Sequence, residues 1–381
     1  MPHLIIDENV PLAREAFSSL GTVELVPGRE ISPETLRNAD ALVVRSITKV
    51  TARLLEGTPV RAVGTCTIGT DHLDIPGLAA KGIAWSSAPG CNARSVAEHV
   101  FSSLCHLHLR RRLDLSKPQA LGIVGLGNTG SALATLARAM GWTVLACDPP
   151  RAERGDLTDS VTLEDCLRKS DIVSLHVPLT RDGAHPTQRL LGARELGWLK
   201  PHATLINAAR GPVIDPEALQ DLLERHDDLS VALDVFDPEP GFPVALARQV
   251  HLLSPHVAGY SLEGKIQGTV QIRNWLGRLW GRPDWEAPAP APLELDWHPV
   301  PGESEWDALA RLVLAVHSPV RDDAAMSRLF PLDEATRAAG FDALRKEYPV
   351  RREWAHARCR QMPSPRVAEM ATSLGFRLDA S

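Results

Sequence analysis

Residues Leu121-Gly122-Ile123-Val124-Gly125-Leu126-Gly127-Asn128-Thr129-Gly130 read as a strand, a tight turn and the start of a helix. The glycines are spaced Gly-x-Gly-x-x-Gly. Gly125 permits the turn, Gly127 lets a pyrophosphate approach the backbone, and Gly130 lets the helix pack on the strand. The helix start, with Asn128 and Thr129, offers N–H groups and a positive dipole end to phosphate. Alone, this spacing is a weak signal. Its context strengthens it: a second strand, Thr143 to Cys147, ends in Asp148. An acid about 20 residues past the glycines typically accepts hydrogen bonds from an adenosine ribose. It would also repel a 2′-phosphate, which favours NAD over NADP, although Arg151 stands close by.

Working outward, short apolar runs alternate with helical stretches, the rhythm of α/β architecture with parallel sheets. Before the glycine turn, strands are expected near 3–6, 22–26, 41–44, 61–63 and 83–85. From 120 onward they are expected near 120–124, 143–147, 171–176, 203–208, 231–235 and 250–253. Helical stretches at 92–112 and 261–280 flank the second series. Polar tails such as Arg45-Ser46 and Thr65 to Thr67 follow first-series strands. In open α/β sheets such tails line the ligand cleft. From Pro283 to Pro301 the chain is proline-rich and reads as an extended linker. A last unit follows, with helices near 304–317, 333–346 and 363–374. Six of the nine tryptophans lie after residue 270, which suits either a small core or an oligomer contact.

Composition narrows the class. The chain has 381 residues, enough for two or three domains. Lys and Arg number 41 against 47 Asp and Glu, a net charge of −6, without the basic surplus of a dedicated nucleic-acid binder. Cys66, Cys91, Cys105, Cys147, Cys166 and Cys359 form no Cys-x-x-Cys or zinc spacing, so no metal is expected and the thiols read as reduced and cytoplasmic. The N-terminus lacks the pattern of a signal peptide, and no apolar run is long enough to span a membrane.

Three later strand ends carry chemistry. Ile206-Asn207-Ala208-Ala209-Arg210-Gly211 places a guanidinium where it could hold a carboxylate, or else a surface ion pair. Leu233-Asp234-Val235-Phe236-Asp237-Pro238-Glu239-Pro240 is an acidic stretch that reads equally as a solvated loop. Ser254-Pro255-His256-Val257-Ala258-Gly259-Tyr260 offers a group that exchanges protons near neutral pH. Singly each is ordinary. In that order after a dinucleotide motif, Arg210, Glu239 and His256 make a dehydrogenase set.

With these motifs the chain resembles the D-isomer-specific 2-hydroxyacid dehydrogenases over about its first 280 residues. Val44-Arg45-Ser46, Gly64-Thr65-Cys66-Thr67, Cys147-Asp148-Pro149-Pro150 and Phe341-Asp342-Ala343-Leu344-Arg345-Lys346 are similar to the branch that oxidises 4-phospho-D-erythronate. The resemblance implies a flavodoxin-like substrate domain (1–97 and 260–284) and a Rossmann NAD domain (98–259). It also implies a smaller α+β C-terminal dimerisation domain (285–381), and so a homodimer. It implies NAD contacts at Gly125, Gly127, Asn128, Thr129, Gly130, Asp148, Val177, Asp234 and Gly259. Substrate contacts fall on Ser46, Thr67 and Tyr260. Position beside Ser46, after a first-series strand, makes Arg45 and Lys49 the candidates for the phosphate, with surface charge as the other reading, and Arg94 is a further basic group near the cleft. Arg210 would hold the carboxylate, His256 would be the base, and Glu239 would orient it. Two other readings fit the core motifs: a phosphoglycerate dehydrogenase, or a non-catalytic NAD-sensing protein of the corepressor kind.

Overall fold

The computed structural model describes residues 1–295, 297–359 and 361–378. The chain divides into two compact units. One comprises Met1–Asn92 and Ser261–Ala291, the other Ala93–Tyr260 and Pro292–Ser381.

The first unit is built on β1 (His3–Asp7), β2 (Thr22–Val26), β3 (Ala41–Val44), β4 (Ala62–Thr65) and β5 (Ala84–Ser86). All pair in parallel, in the order β2-β1-β3-β4-β5, the flavodoxin arrangement. β3 and β4 are buried along their whole length, which suits the apolar Ala41-Leu42-Val43-Val44 and the small and apolar Ala62-Val63-Gly64 before Thr65. Helix Leu262–Leu279 crosses the sheet so closely that a Cβ on Gly64 would lie 2.4 Å from Ile272 Cγ2. Val44 pairs with Thr65 in register, so Arg45-Ser46 and Cys66-Thr67 leave the sheet side by side at one carboxyl edge.

The second unit holds β6 (Ala120–Val124), β7 (Thr143–Cys147), β8 (Ile172–Leu175), β9 (Thr204–Asn207), β10 (Ser230–Leu233) and β11 (Leu252–Leu253). They are parallel, in the order β11-β10-β9-β8-β6-β7. A single parallel bridge from Ala146 to Ser160 adds the remnant of a strand beyond β7. With it the sheet takes the doubly wound dinucleotide-binding order, whose crevice opens where the chain reverses direction between β6 and β8.

Beyond residue 292 the expected helices are present as Glu305–Val316, Glu334–Lys346 and Pro365–Ser373. The sequence reading missed helix Val320–Ser327 and the parallel strands β12 (Leu293–Glu294), β13 (Ala357–Cys359) and β14 (Arg377–Leu378). Strands of two or three residues are too short to show a period of two. The linker reading also needs correction. Extended chain is present, but Leu293 and Glu294 pair with β13 and Trp297 is buried. Trp354, Leu309 and Val313 share one apolar core with Phe101, Leu121 and Leu136. Trp142 stacks on Phe101 at 5.5 Å, and Trp354 meets Phe101 edge-on at 5.7 Å. Trp275, Trp280 and Trp285 pack in the first unit instead. The tryptophans seen in the sequence thus belong to two cores.

Candidate active site

The glycine turn performs three separate tasks. Gly125 has φ 91, in the region that favours glycine. A Cβ on Gly130 would stand 2.1 Å from Gly125 O, so the helix Asn128–Ala139 can approach its strand only without one. A Cβ on Gly127 would meet nothing within 4 Å. The open side of the turn is therefore at Gly127, which caps the helix N-terminus, as a phosphate cradle requires. Asp148 caps the short helix after β7, where its carboxylate accepts from Arg151 N at 3.1 Å and from Leu126 N at 2.8 Å. Arg151 donates to Leu126 O and Asp156 O, which ties its guanidinium to the protein. Val177 follows β8 and packs against the core, two positions from the strand end.

Arg210, Glu239 and His256 follow β9, β10 and β11, three neighbouring parallel strands, so all three emerge at one carboxyl edge of one sheet. The Arg210 backbone oxygen accepts from Asn207 Nδ2 at 3.0 Å, and its guanidinium donates to Ala209 O at 2.8 Å. Glu239 Oε1 accepts from Phe236 N at 2.8 Å. Its Oε2 lies 2.8 Å from His256 Nδ1. Burial raises the Glu239 carboxyl, but the positive field and hydrogen bond of His256 and the Phe236 N–H outweigh it and hold it below its ordinary value. A carboxylate can only accept here, so Nδ1 carries the proton and Nε2 is the nitrogen left for chemistry. The His256 side chain is 31% exposed. His256 has φ 57, and the turn it makes aims the N–H groups of Val257 and Ala258 at Asp234. Gly259 follows directly, and Tyr260 accepts from Arg345 at 3.3 Å and meets Tyr348 edge-on at 5.9 Å.

In the first unit, Thr67 Oγ1 donates to Gly69 O at 3.1 Å and lies 2.8 Å from Thr65 Oγ1. Arg45 and Ser46 occupy the neighbouring strand end.

Comparison with known proteins accords with this geometry. The family described as D-isomer specific 2-hydroxyacid dehydrogenase, NAD binding domain, matches residues 94–258. One described as a domain of unknown function matches residues 294–375. The chain is 47% identical to an erythronate-4-phosphate dehydrogenase of Azotobacter vinelandii, over 98% of each chain. It is 45% identical to one of Pseudomonas aeruginosa, over 98% of this chain and 99% of the other. The chain belongs to the erythronate-4-phosphate dehydrogenase family, within the D-isomer specific 2-hydroxyacid dehydrogenases.

Its fold is shared with NAD-bound 3-phosphoglycerate dehydrogenase of Entamoeba histolytica, with a TM-score of 0.64 at 22% identity, covering 74% of this chain and 95% of the other. Like its family, the chain is an NAD-dependent dehydrogenase. The open cradle at Gly127 and the acid at Asp148 fit that cofactor.

Three basic residues gain weight only from the structure. Lys265, in the helix after Tyr260, is pushed down to about 8 by burial and by the positive charge of Arg45. Arg345 holds the Tyr260 hydroxyl and lies in the field of Glu239. Arg351 donates to Ala258 O at 2.9 Å and to Ser95 O. Arg94, at the start of the helix that leads into the second unit, donates to Glu98 and Leu374 O.

Proposed function

We propose that this enzyme oxidises 4-phospho-D-erythronate at C2 to 3-hydroxy-2-oxo-4-phosphooxybutanoate, a step that serves pyridoxal 5′-phosphate synthesis. The observation that carries the reading is the Glu239–His256 contact beside Arg210 on adjoining strand ends. Bound NAD supplies the hydride acceptor. His256 Nε2 takes the C2 hydroxyl proton as the C2–H bond gives up its electron pair and C2–O becomes a carbonyl. Glu239 accepts the hydrogen bond from Nδ1–H, fixes the ring and stabilises the imidazolium that forms. Arg210 holds the substrate carboxylate through its two-pronged guanidinium and stabilises charge developing on the C2 oxygen. The base must be neutral at the start, so oxidation slows on the acid side.

Gly125, Gly127, Asn128, Thr129 and Gly130 cradle the pyrophosphate. Asp148 receives the ribose hydroxyls, and Val177 (through its backbone), Asp234 and Gly259 complete the cofactor contacts. Ser46, Thr67 and Tyr260 touch substrate, and Arg45 with Lys265 beside it takes the phosphate. Residues 285–381 serve as a dimerisation domain, making a homodimer. A cytoplasmic location is supported by six buried cysteines, none of them joined in a disulfide among the described residues. Among the described residues no helix is long and apolar enough to cross a membrane.

Turnover of 4-phospho-D-erythronate and of 3-phosphoglycerate, followed side by side by NADH absorbance, tests the reading. Preference for the first supports it. Preference for the second, or no NADH from either, overturns it.

A further inference from the structure

Asp234 follows β10 and is 3% exposed. Its carboxylate accepts from Ser254 Oγ at 2.6 Å, Val257 N at 2.8 Å and Ala258 N at 2.9 Å. Ser254 has one hydroxyl proton, and it goes to Asp234. The Ser254 oxygen must then accept from His99 Nε2, 3.2 Å away. Burial, reinforced by the positive charge of Arg351, holds both His99 and His317 well below the ordinary imidazole range. A neutral His99 that is protonated on Nε2 has only a lone pair on Nδ1. Nδ1 lies 3.0 Å from His317 Nε2, which must therefore donate. The chain of protons runs one way: His317 to His99 to Ser254 to Asp234.

His99, His317 and Asp322 bring possible ligand atoms within 4.8 Å of one another, which raises the question of a metal. The positive charge of Arg351 acts on both rings and disfavours a cation there, and the 3.0 Å between the facing nitrogens is that of a direct hydrogen bond. The same C-terminal segment holds β11 and the turn after it at two further points. Asp323 accepts from Leu253 N at 3.0 Å, and Arg351 donates to Ala258 O at 2.9 Å.

We infer that the C-terminal segment positions the cofactor-facing carboxylate of Asp234 through this chain, so that His317, His99 and Ser254 are positioning residues for NAD. This rests on the reading that Asp234 contacts NAD. The full-length enzyme is tested as His317→Phe, His317→Gln and Asp234→Asn. NAD affinity is measured by protein fluorescence, together with KM for NAD, kcat and metal content. Phe removes the donor, whereas the Gln amide presents an N–H close to where the imidazole Nε2–H lies. Losing one neutral hydrogen bond predicts a roughly 5-fold weaker NAD affinity and higher KM in His317→Phe, with kcat within about twofold. His317→Gln stays within about twofold throughout. Should His317→Phe fail to fold, Ser254→Ala against Ser254→Thr reads the same chain one link nearer Asp234. Unchanged NAD affinity in the donorless variant, equal losses in both members of a pair, or a stoichiometric bound metal overturns the chain. If Asp234→Asn itself leaves NAD affinity unchanged, the cofactor reading of Asp234 fails. If Asp234→Asn weakens NAD while His317→Phe does not, only the chain fails.

Discussion

His256 and His99 lie in the same unit and both make short hydrogen bonds through Nδ1, yet their surroundings differ in kind. His256 faces a carboxylate, is partly open to solvent, and has one ring nitrogen unspent. His99 is buried, meets another imidazole and a hydroxyl, and has both nitrogens committed. A carboxylate partner suits a ring that must become an imidazolium and lose the charge again. A closed chain of neutral donors suits a ring that must never titrate, because burial and the positive charge of Arg351 both disfavour an imidazolium there. The contrast supports the proposed division between proton transfer at His256 and positioning at His99 without reference to any motif.

The comparison breaks most easily at His256. His256→Asn is expected to lower kcat by about 10²–10⁴-fold, the usual share of a positioned acid or base, while NAD affinity stays near normal. Near-normal kcat would remove the base assignment. Next in size, Arg210→Ala is expected to lower kcat/KM on the order of 100-fold, since a charge-assisted contact to carboxylate and developing oxyanion is lost. Intact kcat/KM would remove the carboxylate clamp. The smallest effect sharpens the buried side. Burial raises Asp322 to about 7 against the hydrogen bond from Tyr348, and the charge of Asp234 adds to the rise. A carboxyl raised in the folded state contributes stability in full below its unfolded value of 3.8, and that contribution is lost as pH climbs through about 7. Asp322→Asn removes this slope. Its Tm should therefore fall less than that of the parent between about pH 5 and pH 8, as measured by calorimetry; an equal fall would show that Asp322 does not titrate there.

Much of the fold could be read along the chain because its signals are local. Each of the eleven strands of the two large sheets falls where an apolar run predicts it. Arg210, Glu239 and His256 were legible because each stands just past such a run, and parallel pairing brings strand ends to one edge. The lesser elements after residue 292 escaped because two-residue strands carry no periodicity. His99, Ser254 and His317 escaped for another reason. A serine at a strand end and a histidine inside a helix are unremarkable until residues 155 and 218 positions apart meet.

The sequence by itself determined the glycine turn, the succession of strands in the two large sheets, and the set of chemically able residues. These depend on backbone freedom and side-chain period within a few neighbouring positions. Only the tertiary structure decided that the chain beyond Pro292 shares a core with the dinucleotide sheet. It alone brought Arg345 to Tyr260 and Arg351 to Ala258. Those contacts form because apolar surface such as Trp354 is buried first, and polar groups carried inward with it must then find partners wherever the packing leaves them.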